Sequence, residues 1–469
     1  MKYFCFSEKD VRFQSEFKIL DFCMRSGNNT ISELFGYVQR RGILSTVVYV
    51  HLGYLQYSLL LRYDKFMLEL KIDTDQPNGI FENNQQVQVF VLIHNHSEKS
   101  IGGQLIWQIK TDSGSHLVEN IANINLQPGK HQNDYNIEPD LLGVGFYQVE
   151  ALFQFDQGTV VSDQMAIGYQ PSSLQTILTR ESDFGNFWTD TESKLQQISP
   201  AYKLEHQPNL DNEKFTVHLV EMRSLDNLKV RGWLEIPRTS GKHPALLRVP
   251  GYGQNMTPLN PPFDCVTFSF NPRGHGNSDD TLEDDLGYWI RGLDQPNSYF
   301  YRGAYMDVLR AMDYLANLPE VDVEQTAVWG GSQGGGFSLV VAALRTKTRY
   351  CISDVPFLCD WKKYFQLTQW DEIDQWLVQQ PEKRNWTKLL KTLSYFDTIN
   401  LASRIRAEVL MSVGLQDPVC PPATCFSSYN QIKSEKSYRV YKTAGHSLDQ
   451  SHYQFVLNWL KSRFGLSCN

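Results

Sequence analysis

The sequence predicts an α/β domain, a mostly parallel sheet with helices on both faces, preceded by a β-sandwich of immunoglobulin-like character. Three observations predict it. Hydrophobicity alternates with period two over residues 67–170, with turn residues between the runs. Over residues 175–469, short apolar runs alternate with long helical patterns, the mark of a parallel sheet with helical crossovers. One of those runs ends in a serine set among glycines, and a helical pattern follows it at once.

A chain of 469 residues has room for two or three such domains. Its 44 Lys and Arg against 52 Asp and Glu leave a net charge of −8. That balance lacks the basic footprint of a general nucleic-acid binder, so no nucleic-acid partner is expected. With 41% hydrophobic and 13% aromatic residues the chain can bury a large core, which excludes a mainly disordered protein. Eight cysteines stand at 5, 23, 265, 351, 359, 420, 425 and 468, irregularly spaced and without a C-x-x-C. They are expected to be reduced, buried and small, with neither a disulfide framework nor a metal set among them.

Residues 1–66 are a segment of uncertain structure. Glu8, Lys9, Asp10 and Arg12 interrupt any secretory pattern after Met1. Residues 42–61 carry no charge and follow Arg40-Arg41, which suits a membrane anchor or a late signal. His51, Gly53, Gln56, Ser58 and several tyrosines dilute that run. The expectation is therefore a cytoplasmic protein without a membrane partner, export or anchoring through 42–61 being the alternative. A start at Met67 is a further one.

In the sandwich, Val87, Val89 and Val91 alternate, as do Leu105, Trp107 and Ile109, then Tyr147, Val149, Ala151 and Phe153. Turns are expected at Gln76-Pro77-Asn78-Gly79, Gly102-Gly103, Gln127-Pro128-Gly129 and Leu142-Gly143. The default role is structural; carbohydrate binding through Trp107 or Tyr147 is the alternative. In the α/β part, strands are expected at 215–221, 230–236, 245–249, 266–270, 326–329, 409–413 and 438–441. A helix is expected over 305–318, and an amphipathic one closes the chain around Phe455 to Phe464.

Gly330-Gly331-Ser332-Gln333-Gly334 fits G-x-S-x-G between strand and helix. A serine there sits on a strained turn, so its neighbours, Gly331 and Gly334 among them, must be small. The following helix aims its N-terminus at developing negative charge. This context makes Ser332 a nucleophile and the fold an α/β hydrolase. A serine hydroxyl needs a base, itself oriented by an acid, in the chain order Ser, Asp or Glu, His. Asp417 follows the strand 409–413, and His446 follows the last strand. Backbone N–H groups of Gln333 and Tyr252 are the expected oxyanion donors; Pro250-Gly251-Tyr252-Gly253-Gln254 ends an early strand. His275, His452 and the acidic run Asp279, Asp280, Asp284 and Asp285 are weaker competitors for catalytic roles. Asp360 to Tyr395, with Trp361, Tyr364, Phe365, Trp370 and Trp376, reads as an insertion over the site whose aromatics mostly pack.

At these residues the sequence resembles the acetyl xylan esterase and cephalosporin C deacetylase group, carbohydrate esterase family seven. The resemblance spans residues 182–464. Beyond the elbow it rests on Ser182-Asp183-Phe184 with Phe187-Trp188, Arg291-Gly292-Leu293-Asp294, Tyr299-Phe300-Tyr301-Arg302-Gly303, Leu393-Ser394-Tyr395-Phe396-Asp397, and Gly414-Leu415-Gln416-Asp417 with Val419-Cys420-Pro421-Pro422. It implies Ser332 as nucleophile, Asp417 as acid, His446 as base, the Tyr252 and Gln333 amides as oxyanion hole, and Arg273 as a brace for loops around the site. Two motifs depart from the family: its Arg-Gly-Gln is Arg273-Gly274-His275 here, and its His-Glu is His446-Ser447. The resemblance further implies removal of acetyl groups from small acetylated carbohydrates, no cofactor, and a homo-oligomer, since compact members form closed hexamers. A broader esterase or peptidase on the same fold, or a non-catalytic glycan-binding protein, are the alternatives.

Overall fold

The structure, a computed structural model, describes residues 67–82, 85–156, 158–282 and 286–466. The expectations for residues 1–66, including the run 42–61, and for Cys5, Cys23, Cys468, Asp284 and Asp285 lie outside the described residues. Residues Glu69–Asn469 make up one compact unit.

Its first part is β-rich: β1 (Leu68–Thr74), β2 (Ile80–Phe81), β3 (Val87–Asn95), β4 (Ile101–Thr111), β5 (His116–Leu126), β6 (Gly129–Ile137), β7 (Gly145–Phe155) and β8 (Val160–Tyr169). They form a three-stranded sheet β1-β3-β6 and a five-stranded sheet β2-β8-β7-β4-β5. The period-two residues do bury alternately, Val87, Val89 and Val91 in one sheet and Leu105, Trp107, Ile109, Val149, Ala151 and Phe153 in the other. Gly102-Gly103 is not a turn but lies inside β4. A Cβ on Gly103 would overlap the ring of Phe153 on β7, so this glycine answers to packing. Trp107 and Tyr147 are each only 6% exposed, and Trp107 packs on Tyr135 at 4.3 Å. Neither ring is presented for a sugar to stack on.

The second part is built on nine strands: β9 (Lys203–His206), β10 (Phe215–Arg223), β11 (Lys229–Pro237), β12 (His243–Val249), β13 (Val266–Asn271), β14 (Val321–Gly331), β15 (Tyr350–Asp354), β16 (Glu408–Gly414) and β17 (Lys436–Tyr441). Their order is β17-β16-β15-β14-β12-β13-β11-β10-β9. Pairing is parallel from β17 to β13 and antiparallel through β11, β10 and β9. Its helices are α1 (Phe184–Gln196), α2 (Phe300–Ala316), α3 (Gln333–Leu344), α4 (Trp361–Leu367), α5 (Asp371–Gln379), α6 (Trp386–Ser394), α7 (Pro422–Gln431) and α8 (Gln450–Arg463). This is the α/β-hydrolase architecture. Consecutive residues of each central strand enter opposite cores. Leu246, Ala327, Ile352 and Leu410 pack with Val456, Leu457 and Leu460 of α8. Leu247, Val328, Cys351 and Val409 join the larger core with α2 and α3.

Two strands, β9 and β15, escaped the sequence reading, and α2 begins five residues before its expected start. The reason at α2 is Gly303, which makes Tyr299-Phe300-Tyr301-Arg302-Gly303 look irregular. A Cβ there would overlap the guanidinium of Arg273. Arg273 crosses α2 at that point to grip buried Asp307 with Nε at 2.8 Å and Nη2 at 3.0 Å, while Nη2 also donates to the Leu225 carbonyl at 2.9 Å. Asp307 is fully buried and Arg273 is 7% exposed.

Removing one partner of such a pair leaves an uncompensated charge inside the core. Asp307→Ala is therefore expected to lower unfolding free energy by roughly 3–5 kcal/mol. Urea denaturation of the variant beside the wild type measures it, and a loss below about 1 kcal/mol would contradict the role given to this pair.

Candidate active site

Ser332 lies between β14 and α3 with φ 57° and ψ −122°, a left-handed conformation costly for a non-glycine residue. The surroundings impose it. The Ser332 N–H donates to the Asp354 carbonyl at the end of β15 at 2.9 Å. Its own carbonyl accepts from Phe357 at 2.9 Å and from Gly336 at 3.1 Å. Gly334 must be small, because a Cβ there would stand 2.5 Å from the Val249 carbonyl oxygen. A Cβ on Gly331 would meet only ordinary contacts, the nearest Asp354 Cβ at 3.8 Å. Smallness is thus required at Gly334 and not at Gly331.

The other two expected residues converge on the serine. His446 Nε2 is 3.0 Å from Ser332 Oγ, and His446 Nδ1 is 2.9 Å from Asp417 Oδ2. The second Asp417 oxygen accepts from the N–H groups of Val419 at 2.8 Å and Cys420 at 2.9 Å. A carboxylate only accepts, so Nδ1 carries the proton and Nε2 is left to accept from the serine hydroxyl. The Asp417 side chain is fully buried, whereas that of His446 is 29% exposed.

A cavity of about 200 Å³ opens over these groups, lined by Ser332, His446, Tyr252, Phe357, Trp370 and Val419 among others. A larger one, about 300 Å³, holds Arg273, Arg302 and Asn297 and no member of this cluster. The smaller cavity is the relevant one because it contains the serine and the imidazole. The Tyr252 hydroxyl accepts from the Tyr288 N–H at 3.0 Å and donates to Glu372 at 3.4 Å. Tyr252 itself sits in a turn closed by Gln254 N–H to the Gly251 carbonyl at 3.1 Å, with Gly253 at φ 65°. Gln333 opens α3, so its N–H has no acceptor within the helix. Of the aromatic segment over the site, Trp361, Tyr364 and Trp376 are buried and Trp370 reaches the cavity.

The acetyl xylan esterase (AXE1) family model matches residues 171–463. The chain belongs to the acetyl xylan esterase family. An acetyl esterase of Xylanibacter ruminicola is 26% identical over 320 residues, which is 63% of this chain and 70% of that protein. Among solved structures, acetyl xylan esterase 1 of a Thermoanaerobacterium species is 28% identical, with a TM-score of 0.58, over 63% of this chain and 98% of that one. An acetyl xylan esterase of a Paenibacillus species gives 28% and 0.58 over 62% of this chain and 98% of its own.

In this acetyl xylan esterase family member Arg273 lies away from the Ser332 cavity, bracing α2 and the Leu225 turn. His275 is 1% exposed and belongs to a different chain of contacts. Its Nδ1 lies 2.9 Å from the Arg273 carbonyl, and its Nε2 lies 2.8 Å from the side-chain nitrogen of Gln333, whose oxygen accepts from the Tyr301 hydroxyl at 2.8 Å. His275 is thus a neutral ring with Nδ1 protonated, holding the Gln333 side chain. His452 faces Asp354 Oδ1 at 3.0 Å and the Tyr441 hydroxyl at 2.7 Å, and Asp280 pairs with Arg231 at 2.8 Å. None of these reaches Ser332.

Among the described residues, two groups approach metal-ligand spacing: Glu69, His94 and His96 on the β-rich part, and Asp417, Cys420 and His446 in the site. In the second, Asp417 and His446 already bond each other, and burial raises the Cys420 thiol pKa, disfavouring a thiolate ligand. Cys265, Cys351, Cys359, Cys420 and Cys425 are free and buried. No helix among the described residues is long and apolar enough to cross a membrane. The sequence reading missed Asp354 and Phe357; the apolar run Tyr350-Cys351-Ile352 was the available signal for the strand that places Asp354.

Burial lowers the His275 pKa from 6.5 to about 4. A histidine kept neutral in the fold contributes stability that is full above about 6.5, falls with pH, and is lost below about 4. Buried Asp397, raised to about 7 by burial and by Asp360, has the opposite slope and cancels between variant and wild type. Relative to His275→Gln, the wild type is expected to lose roughly 3 kcal/mol between these two limits. Denaturant titrations across that range test it; parallel curves would refute a neutral buried His275.

Proposed function

We propose that this protein is a serine esterase that removes acetyl groups from acetylated sugars or short xylooligosaccharides. The observation that carries the reading is the unbroken chain of hydrogen bonds from Asp417 through His446 to Ser332, opening on a small cavity. Membership of the acetyl xylan esterase family supports the acetyl group as the acyl part.

Ser332 Oγ attacks the acetyl carbonyl as His446 Nε2 takes its proton. Asp417 keeps Nδ1 protonated and stabilises the imidazolium that forms. The backbone N–H groups of Gln333 and Tyr252 receive the oxyanion, each contributing roughly 3 kcal/mol to the transition state. His446 then passes its proton to the departing sugar oxygen. Water, activated by the same imidazole, attacks the acetyl-enzyme and releases acetate.

The cavity is below the range of about 300–1,000 Å³ typical of drug-sized ligands, which suits a short acyl group better than a long one. The partly exposed edge at His446 leaves room for a bulkier alcohol outside. An acetylated carbohydrate is accordingly the small-molecule partner assigned to the site.

Acetate release from p-nitrophenyl acetate and from acetylated xylooligosaccharide tests the reading. Both are expected to be hydrolysed, with kcat reduced by about 10⁴-fold or more in Ser332→Ala. p-Nitrophenyl butyrate is expected to react about tenfold more slowly than the acetate. An inactive folded wild type, or activity that survives Ser332→Ala, would overturn the mechanism.

A further inference from the structure

Gln416 takes no part in the acyl-transfer steps, yet it joins three segments beside them. Its backbone N–H donates to the Ala444 carbonyl at 2.9 Å, two residues before His446. Its side-chain nitrogen donates to the Lys442 carbonyl at 2.8 Å and to the Ala166 carbonyl at 3.3 Å. Its side-chain oxygen accepts from the Ala166 N–H at 2.8 Å. Ala166 belongs to β8 of the β-rich part, and Gln416 immediately precedes Asp417.

The geometry at β8 explains why a carboxamide fits. β7 pairs with one side of β8, opposite Ala166 at Gln148. The other side is covered by β2 only at Gly168 and Tyr169. Ala166 therefore presents an N–H and a C=O at an open edge, and the Gln416 carboxamide, one donor and one acceptor, takes the place of a further strand. A second tether lies alongside. The Lys442 ammonium bonds the Asp73 carboxylate and donates to the carbonyls of Thr74 at 3.2 Å and Gln76 at 3.1 Å. Lys442 is on the segment that ends in His446. Leu415 is packed against Gly79, where a Cβ would come within 2.6 Å of its methyl carbon.

We propose that the β-rich part acts as a positioning module for the reaction, and that Gln416 is the positioning residue through which it fixes Asp417 and His446 in mutual register. This rests on the triad reading above. The warrant is the direction of each bond: the acid loop and the base loop are tied to each other by Gln416, and each is tied separately to the β-rich part, by Gln416 and by Lys442. Release of these ties leaves Ser332 on its own rigid turn while its two partners shift relative to it. A displacement of about 1 Å in such a constellation costs on the order of a hundredfold in rate. Contacts that merely glue two parts together would change stability and leave turnover alone.

The test uses the full chain and p-nitrophenyl acetate, with kcat, KM and thermal midpoint measured for the wild type, Gln416→Leu and Lys442→Met. Gln416→Leu keeps the bulk and removes all three side-chain hydrogen bonds. The expected result is a kcat about ten- to a hundredfold lower at unchanged KM, in protein whose midpoint stays above the assay temperature. Unchanged kcat in both folded variants would overturn the proposal, even with a lowered midpoint. If Gln416→Leu does not fold, Asp73→Asn decides: its side chain is half exposed and does not line the Ser332 cavity. A reduced kcat there supports positioning from the β-rich part, and an unchanged one refutes it. An inactive wild type would instead defeat the esterase reading itself.

Discussion

The turn at Ser332 is the constraint around which the rest is arranged. A serine with φ 57° is strained by roughly 1–3 kcal/mol, and it persists only where the surroundings leave no relaxed alternative. Here its N–H is fixed by Asp354, its carbonyl by Phe357 and Gly336, and the helix behind it lies so close to Val249 that only glycine fits at Gly334. Packing of α3 between β12, β14 and β15 offsets the strain. The side chain is left standing clear of the sheet, where a base can reach it.

Sheet order then decides where that base and its acid can come from. β14, β15, β16 and β17 are consecutive and parallel, so the segments after β16 and β17 emerge on the same edge as Ser332. Asp417 and His446 stand on the segments that leave those two exits, and their side chains are the ones linked to Ser332. The chain order Ser332, Asp417, His446 is thereby a consequence of strand order, and this is why the three positions of the proposed triad were legible in sequence. Each is announced by a local pattern, an apolar run followed by a small or polar turn, and each pattern needs only about ten residues to be recognised.

What stayed hidden is non-local. No local pattern marks Gln416, because its partner is a backbone group 250 positions away on an open strand edge. The early start of α2 was obscured by Gly303, whose purpose is to let Arg273 through rather than to end a helix. Gly102-Gly103 misled in the same way: turn chemistry was read where close packing of β4 against Phe153 was the cause. β15, five residues long and buried throughout, offers no alternation to detect. In each case tertiary contact, not propensity, set the residue.

His275 shows how a departure from a family motif can be absorbed. At the third position of Arg-Gly-Gln an amide would offer both a donor and an acceptor, whereas a neutral imidazole with Nδ1 protonated offers one of each on opposite sides of a rigid ring. The structure uses both. Nδ1 turns back to the Arg273 carbonyl, and Nε2 accepts from Gln333, whose own oxygen is taken by Tyr301. Every polar atom in this chain of contacts is buried and satisfied, a condition that favours one tautomer of His275 and one orientation of the Gln333 amide. Gln333 is also the first residue after Ser332, so this buried chain of contacts fixes the side chain next to the proposed nucleophile. The histidine therefore keeps the steric and hydrogen-bonding task while making it sensitive to protonation, because an imidazolium would point a second donor at the Gln333 nitrogen.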